Sequence, residues 1–425
     1  MSGQSAGAFP AVLRDVTVTG RPAAVRLPSV DLLRGLDVFL MLFVNEMSGV
    51  RGTPRFLLHT PSAVDGMTIT DVVFPAFLFI TGMSLPLAID ARLARGESAW
   101  HLWRHTLTRT FALLVMGVFM VNGEEATAGW LSPAAWNAIM TVALMLIWVR
   151  PAATRDSRGK VVRVAAGALL LAGLALAYHS DEGSGLAVFS PHWWGILGLI
   201  GWAYLVGATI YLSGARSSGA LLAAAALLCC FCFADQAGDI GWLIALRPYI
   251  STGSVFGSHA ALVVFGAALI VRVRRSGERA PRQMLRTGVL VAAALALAAW
   301  LLHSLHEVDD AFWYNKVIAT VPWILMSAAI TAAAWSAIVG LTEGLGWTRW
   351  PQSVRTAGEH ALLIYMLAPL LLSLVAIAAD VTGGINPYEA LAPNLLAGTI
   401  RSAVFAWLVV RLAGWLASRG LRLRV

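Results

Sequence analysis

The sequence predicts an all-α, polytopic helical membrane protein, and three observations lead to this fold class. Hydrophobic residues make up 58% of the 425-residue chain and charged residues only 13%, which is far from the composition of soluble domains. Apolar runs of about 17–23 residues recur, and each is long enough to cross roughly 30 Å of hydrocarbon. The alternating stretches of about ten residues that a membrane β-barrel requires are absent from the sequence.

The apolar runs define about twelve predicted transmembrane helices, with a range of ten to twelve. They lie near residues 32–50, 68–90, 106–122, 132–149, 161–179, 192–212, 219–236, 257–273, 287–303, 318–340, 358–379 and 396–417. Residues 1–28 form a predicted cytoplasmic N-terminal tail, and residues 29–420 form the predicted transmembrane domain. The first thirty residues lack a continuous apolar core, so we expect no cleavable signal peptide.

Basic residues are divided unequally between the two sides of this predicted bundle. If both termini share one side, that side carries 25 of the 31 lysines and arginines. The remaining six lie on the other side or within the last span: Arg51, Arg55, Arg247, Lys316, Arg401 and Arg411. The positive-inside rule therefore predicts that both termini are cytoplasmic and that the loop around His59 faces outward.

The two predicted sides differ in the partners that they suit. Basic clusters beside membrane spans anchor on anionic lipid, so the net charge of +8 indicates membrane lipid as a partner and no nucleic acid. The outer loops are instead rich in acidic residues and histidines. Such a face attracts a cationic substrate such as an amino sugar, although a hydrated loop surface explains it equally well.

The cysteines do not indicate a metal site. Cys229, Cys230 and Cys232 all fall within one apolar run. No histidine or fourth thiol stands near them in sequence, as a zinc site would require. We therefore expect buried, unreactive thiols and no metal.

Polar groups inside a predicted span are costly and therefore mark candidate functional residues. The first span carries Asp37, Asn45 and Glu46. The helical repeat places Asp37 and Asn45 on roughly the same face, which should meet a partner helix or a water-filled cavity. Glu46 lies near the outer surface, where simple hydration is an alternative.

Two charged residues stand at the cytoplasmic start of the first span. Asp31 and Arg34 are three residues apart, which is the spacing of an ion pair on a helix. One interpretation is a helix start, with Ser29 as its cap. The other is an arginine at the inner mouth of the bundle that recognises a phosphate.

His59 lies in a short polar loop between the first two spans, and Asp71 opens the second span. An imidazole at the mouth of a bundle, with a carboxylate in reach, suits a general base, because histidine titrates near neutral pH. The alternative is a loop histidine that is hydrated at the membrane surface.

Several segments occur in an order that resembles one known family. They are SVDLLRG at 29–35, the asparagine at 45, the histidine at 59 and GMTITDVVFPAFLFITGMS at 66–84. A looser similarity continues through RHTLTR at 104–109, HWWGILGLIGWAY at 192–204, NK at 315–316 and GEHALLIY at 358–365. In this combination the chain resembles the heparan-α-glucosaminide N-acetyltransferase family of transmembrane acyltransferases, of the bacterial, N-acetylglucosamine-utilisation type.

The resemblance implies acetyl transfer from cytosolic acetyl-CoA to the amine of glucosamine, or of a glucosamine-terminated saccharide, on the periplasmic side of a bacterial inner membrane. It implies that residues 29–420 are a transmembrane acyltransferase domain. It also implies a catalytic histidine at His59, an acidic partner at Asp71 and an asparagine at Asn45 that contacts the acetyl-CoA.

These roles are chemically coherent. The acceptor amine must lose a proton, which His59 would accept while Asp71 holds its second nitrogen. Asn45 would donate its amide N–H to the thioester oxygen as charge develops. Direct transfer is the mechanism we favour, because the thioester already activates the acetyl group, and an acetyl-histidine intermediate is the alternative.

Three arginines of the predicted cytoplasmic side suit the co-substrate that the resemblance implies. Acetyl-CoA is anionic, and we expect Arg34, Arg104 and Arg109, at the cytoplasmic ends of the first three spans, to contact its phosphates, with lipid anchoring as the alternative. A transporter of sugars or amino sugars, in which Asp37 couples protons, is a second hypothesis. An O-acyltransferase acting on cell-envelope polysaccharide is a third. A homodimer is one assembly compatible with the sequence.

Overall fold

A computed structural model describes residues 27–125, 131–150, 157–178, 189–275, 281–347 and 349–423. Within these ranges, twelve helices of 16 residues or more follow one another. They are α1 (Pro28–Met47), α2 (Ile69–Ala94), α3 (Ala99–Glu125), α4 (Pro133–Trp148), α5 (Ser157–Leu176), α6 (Gly195–Leu212), α7 (Ser218–Gln236), α8 (Ala260–Arg275), α9 (Pro281–His303), α10 (Val321–Val339), α11 (Ala361–Thr382) and α12 (Leu395–Ser418). Residues 1–26 of the predicted N-terminal tail lie outside the described residues.

Shorter elements connect these helices. Single helical turns occupy Arg55–Leu57, Gly241–Ile244, Asp310–Phe312 and Pro387–Ala390, and π-helical turns occupy Gly253–His259 and Gly340–Gly344. An eight-residue helix, Gln352–Glu359, precedes α11. Two strands of two residues each, β1 (Val149–Arg150) and β2 (Arg422–Leu423), form an antiparallel pair.

Each of the twelve predicted spans overlaps one of the twelve long helices. Ten helical segments within the described ranges are long and apolar enough to cross a membrane. The other two long helices, α1 and α4, are not among these ten segments, and the reason is different for each. Helix α1 carries four charged residues, and α4 has only 16 residues, which is about 24 Å and therefore shorter than the hydrocarbon core. The predicted all-α, polytopic membrane fold is thus confirmed.

Helix α8 lies at the centre of the bundle. Within Gly253–Arg274, which contains most of α8, 89% of the most apolar part is buried, against 17% for α5 and α9. Glycines allow α2 to approach α8 closely: a Cβ added to Gly82 would lie 1.9 Å from the Val263 carbonyl oxygen, and one added to Gly266 would lie 2.0 Å from that of Phe79. Small residues of this kind permit dense packing in membranes, so α2 is held against a rigid centre.

Several segments that the sequence predicts on one side of the membrane lie together at one end of the bundle. In the β1–β2 pair, Val149 lies opposite Leu423, so the connection after α4 adjoins the C-terminal end of α12. Leu423 also lines a cavity together with Arg34 of α1 and Arg92 of α2. The N-terminal end of α1 and the C-terminal ends of α2 and α12 therefore share one end of the bundle. That this end faces the cytoplasm stays a prediction.

The start of α1 differs in part from the expectation. The predicted pair is present, since Arg34 donates to Asp31 Oδ1 at 2.9 Å. Ser29, however, is not the helix cap: α1 begins at Pro28, and the buried Ser29 hydroxyl oxygen accepts a hydrogen bond from Trp335 Nε1 at 3.2 Å. Proline at the first helical position has no N–H to satisfy and already has a helical φ, so the helix starts without a serine cap.

The cysteine run is only partly buried. Cys229 and Cys232 lie inside the bundle, as predicted, but Cys230 is exposed. Successive residues on a helix are about 100° apart, so the three thiols cannot all face the same way.

Candidate active site

His59 and Asp71 meet at one end of the bundle, which we call the His59 end. His59 Nδ1 lies 2.7 Å from Asp71 Oδ1. The Asp71 side chain is fully buried, whereas 49% of the His59 side chain is exposed. Because an ionised carboxylate only accepts hydrogen bonds, the neutral tautomer that suits this contact has its proton on Nδ1 and a lone pair on Nε2. The fold thus brings together the two residues that the sequence analysis paired.

The second oxygen of Asp71 is fixed by three further donors. It accepts hydrogen bonds from the backbone N–H groups of Thr60 and Thr68, both at 3.1 Å. The Thr68 hydroxyl, 3.2 Å away, shares its one proton between this oxygen and the Leu58 carbonyl oxygen at 2.7 Å. Thr68 is the N-cap of α2 and Asp71 the third residue of the helix, so the pair forms a capping box. The same carboxylate therefore starts α2 and orients His59.

Lys316 approaches His59 from the connection between α9 and α10. Its Nζ lies 3.0 Å from Nδ1 and 3.2 Å from Nε2 of the imidazole. Burial lowers the pKa of Lys316 below its usual value, and the nearby Asp71 carboxylate partly offsets this. The site therefore combines a buried carboxylate, an imidazole and an amine.

Hydrogen bonds join the loop that carries His59 to the loop that carries Lys316. Asp65 Oδ1 accepts from the Tyr314 N–H at 2.8 Å, and its Oδ2 lies 2.9 Å from His303 Nε2. The Asn315 side chain donates to the Ser62 carbonyl oxygen at 2.7 Å. The two loops therefore form one unit, in which the backbone positions of His59 and Lys316 are set relative to each other.

Asn45 lies near the end of α1, but within the described residues no hydrogen bond joins it to His59 or Asp71. Asn45 is exposed, whereas Asp37 is only 7% exposed. The two do not share a buried face as expected, because eight residues on an α-helix leave about 80° between side chains. A role of Asn45 with acetyl-CoA stays a prediction.

Glu46 is not simply hydrated. The Tyr388 hydroxyl donates a hydrogen bond to its carboxylate, and Arg401 donates to the Glu46 carbonyl oxygen at 3.2 Å. The Arg401 guanidinium also lies 4.3 Å from the centre of the Tyr388 ring. Glu46 thus ties α1 to α12 and to the connection before it.

A cavity of about 790 Å³ lies toward the other end of the bundle, between α1, α2, α3, α6 and the start of α11. Its charged and titratable lining is mostly basic: Arg34, Arg92, Arg104, Arg109, His101, His105, His360 and Glu359. All three arginines that the sequence analysis proposed for phosphate contact therefore lie around one cavity. Its size suits a small-molecule ligand, and its charge suits an anion.

The arginines of this cavity differ in how they are held. Arg34 donates to Ser84 Oγ at 2.5 Å and to the Gly358 carbonyl oxygen at 3.2 Å, so it also connects α1 to its neighbours. The Arg109 guanidinium lies 4.6 Å from the centre of the Tyr204 ring. Its buried Nε has no hydrogen-bond partner among the described residues, which leaves a donor for a ligand.

Burial lowers the pKa of His360 below its usual value, and nearby Arg422 lowers it further, although Glu359 partly offsets both effects. The protonated form of His360 is therefore disfavoured. Four arginines around the cavity supply positive charge that does not depend on a histidine.

Helix α2 connects the cavity to the His59 end. The cavity contacts α2 from Phe77 to Arg92, a length of about 22 Å at 1.5 Å per residue. Asp71 lies about 9 Å beyond Phe77 along the same helix. The lining of the cavity on α2 therefore ends about 9 Å short of Asp71 along the helix axis.

Sequence reasoning assigned no role to Lys316, Arg92 or His360. Lys316 lies 257 positions from His59 in sequence, and a single sequence does not reveal such a contact. Two features of the sequence pointed to Lys316 indirectly. It is one of few basic residues on the predicted outer side, and it belongs, with Asn315, to a segment that loosely resembles the known family.

Comparison with known proteins finds partial similarity. Heparan-alpha-glucosaminide N-acetyltransferase of Mus musculus is 36% identical over 121 residues, which is 28% of this chain and 17% of the mouse protein. The Homo sapiens protein of the same name is 34% identical over 114 residues, which is 27% of this chain and 16% of the human protein. No family model matches the chain. Over about a quarter of its length, this chain is thus similar to a small part of two N-acetyltransferases.

Proposed function

We propose that this protein is a transmembrane N-acetyltransferase of a bacterial inner membrane. It would move acetyl from cytosolic acetyl-CoA to the amine of glucosamine, or of a glucosamine-terminated saccharide, on the periplasmic side. One observation carries the proposal: α2 has a basic cavity along one half and an oriented histidine–carboxylate pair at its other end. The partial similarity to N-acetyltransferases supports the same reaction class.

The geometry of His59 suits its proposed role as general base. A sugar ammonium must lose a proton before its nitrogen can attack a thioester. Asp71 holds Nδ1 of the imidazole, so Nε2 is the nitrogen that would accept that proton once the Lys316 amine, 3.2 Å away, moves aside. The exposure of His59 permits a saccharide acceptor to approach. We favour direct transfer from the thioester, with an acetyl-histidine intermediate as the alternative.

The cavity suits the proposed co-substrate. Acetyl-CoA carries negative phosphates at one end and its thioester at the end of a long arm. Arg104 and Arg109 would bind the phosphates, and Arg34 would contribute charge from α1. The arm would then follow α2 past Phe77 toward His59, where the acetyl group is transferred.

Release of CoA by the full-length protein in nanodiscs, given acetyl-CoA and glucosamine, tests the proposal. We expect CoA release that depends on glucosamine and falls by about 10²–10⁴-fold in His59→Gln, the usual contribution of a general base. His306→Gln is the matched control, because His306 is exposed beside the same loops and does not contact His59. Equal activity of the wild type and His59→Gln would contradict the proposal.

The acceptor group is tested separately. Glucosamine offers an amine, whereas N-acetylglucosamine offers only hydroxyl groups. Release of CoA with glucosamine but not with N-acetylglucosamine is the result expected for N-acetyl transfer. The reverse pattern would support an O-acyltransferase instead.

A transporter of amino sugars is kept as a second candidate because of Asp37. This residue is 7% exposed, and its Oδ2 has no hydrogen-bond partner among the described residues. A buried carboxylate of this kind is typical of proton-coupled carriers. Uptake of labelled glucosamine into liposomes that lack acetyl-CoA, with loss of uptake in Asp37→Asn, would favour this candidate over the enzyme.

A further inference from the structure

The Lys316 amine lies against the imidazole of His59. A group that gives a proton to His59 must lie within about 2.6–3.2 Å of its free ring nitrogen. Asp71 occupies Nδ1, so that nitrogen is Nε2. The Lys316 amine, a primary amine like that of glucosamine, lies 3.2 Å from Nε2 and 3.0 Å from Nδ1. Being almost equidistant from both nitrogens, it lies over the ring, and a movement of its flexible side chain would bring it onto the lone pair of Nε2.

The position of Lys316 is built into the loop. Asn315 is buried, and its Oδ1 accepts hydrogen bonds from the N–H groups of Val317 at 2.9 Å and Ile318 at 3.3 Å. Its amide group also holds the His59 loop through Ser62. The backbone at Lys316 is therefore fixed, and the flexible side chain alone can move away when another amine enters.

We propose that Lys316 Nζ, which lies beside His59, enters the acceptor-amine position and is itself acetylated when acetyl-CoA is present without an acceptor. This inference rests on the proposed function, because it requires an acetyl thioester to reach His59. It assigns a modification site to the protein, beside the place where the amine of the sugar would bind.

The chemistry of this step balances without another reactant. The neutral Lys316 nitrogen attacks the thioester carbonyl, so that a C–N bond forms and the C–S bond breaks. His59 Nε2 takes the proton from the nitrogen, and this proton then passes to the thiolate, which leaves as CoA. Burial lowers the pKa of Lys316 and thereby raises the neutral fraction of the amine at any given pH.

The chain provides its own control, since Lys160 and Lys316 are its two lysines. Lys160 is exposed in the first turn of α5, far in sequence from His59. The full-length protein in nanodiscs is incubated with acetyl-CoA alone, digested with chymotrypsin and analysed by mass spectrometry. We expect one added acetyl group on Lys316 and none on Lys160.

The dependence of this signal on His59 and on the acceptor provides the decisive comparison. Acetylation of Lys316 should fall by about 100-fold or more in His59→Gln, because the base is lost, and excess glucosamine should suppress it in the wild type. Preincubation with acetyl-CoA should also inactivate the wild type progressively. The Lys316→Arg variant cannot form the same amide. Preincubation with acetyl-CoA should therefore not lower its rate of glucosamine-dependent CoA release below the rate that the variant has without preincubation.

Three outcomes would overturn the inference. Glucosamine-dependent CoA release without acetyl-Lys316 would remove the inference and leave the proposed function intact. Equal acetylation of Lys160, or of Lys316 in His59→Gln, would show background chemistry instead of catalysis at the site. Loss of both signals, with neither CoA release nor acetyl-Lys316, would overturn the inference together with the proposed function.

Discussion

Replacing Asp71 by asparagine separates the charge of this residue from its shape. One donor, His59 Nδ1, faces Oδ1, and three donors from Thr60 and Thr68 face Oδ2. An amide has a single oxygen, so one of the two positions would carry an NH₂ group that faces donors. Because the threonine side has more donors, we expect the amide oxygen to turn there and the NH₂ group to face His59.

The expected loss of kcat in Asp71→Asn follows from the tautomer that His59 would adopt. Opposite an NH₂ group, Nδ1 must become the acceptor, and the ring proton moves to Nε2. The lone pair that would receive the proton of the acceptor amine is then lost. The equivalent substitution in serine proteases lowers kcat about 10⁴-fold. We expect a loss of this order in Asp71→Asn, which corresponds to about 5.5 kcal/mol of transition-state stabilisation.

Steady-state release of CoA with glucosamine as acceptor measures this effect. KM for acetyl-CoA should stay unchanged, because the cavity ends about 9 Å from Asp71 along α2. Asp65→Asn is the matched control: its carboxylate joins the two loops without contacting His59, so we expect no more than about a tenfold loss. If a folded Asp71→Asn variant kept more than roughly a tenth of the wild-type kcat, the tautomer argument would be refuted.

Three further predictions concern the cavity and the packing. Arg109→Ala should raise KM for acetyl-CoA about tenfold or more by removing a charged hydrogen bond, whereas Arg95→Ala, which lies on the same side but outside the cavity lining, should leave KM unchanged. Thr81→Trp should fill the middle of the cavity and abolish acetyl-CoA-dependent CoA release without lowering the thermal unfolding midpoint by more than a few degrees. Gly82→Ala should destabilise the bundle by about 1–3 kcal/mol or more, because its Cβ would overlap the backbone of α8. Thermal unfolding measures this loss, and Gly49→Ala is the control, since its Cβ would meet nothing within 4 Å.

Much of the fold was predictable from single segments. Each long helix is encoded by a local apolar run, and a run of that length must be helical to satisfy its backbone in lipid. The positions of the twelve helices therefore agreed with the predicted spans. The start of α1 was missed because a proline and a serine next to each other both mark helix starts, and only the packing against Trp335 decided between them.

The candidate site was predictable where its parts are close in sequence. His59 and Asp71 are twelve residues apart, and the capping position of Asp71 at the start of α2 makes their contact a local matter. The arginines of the cavity were predicted individually from charge and position. Two further facts depend on how α1, α2, α3 and α6 pack together: the arginines surround one cavity, and Arg109 Nε has no hydrogen-bond partner among the described residues.

The sequence by itself determined that this protein is a helical membrane protein with a histidine and a carboxylate at one end of its second span. Composition, the length of an apolar run and the cap of a helix each depend on residues that are close together in the chain, so they can be read from the sequence alone. Only the tertiary structure decided that Lys316 contacts His59, that Glu46 pairs with Tyr388 and that Asn45 is exposed. These facts depend on which helices lie side by side and on how each is rotated, and both are set by packing among distant segments.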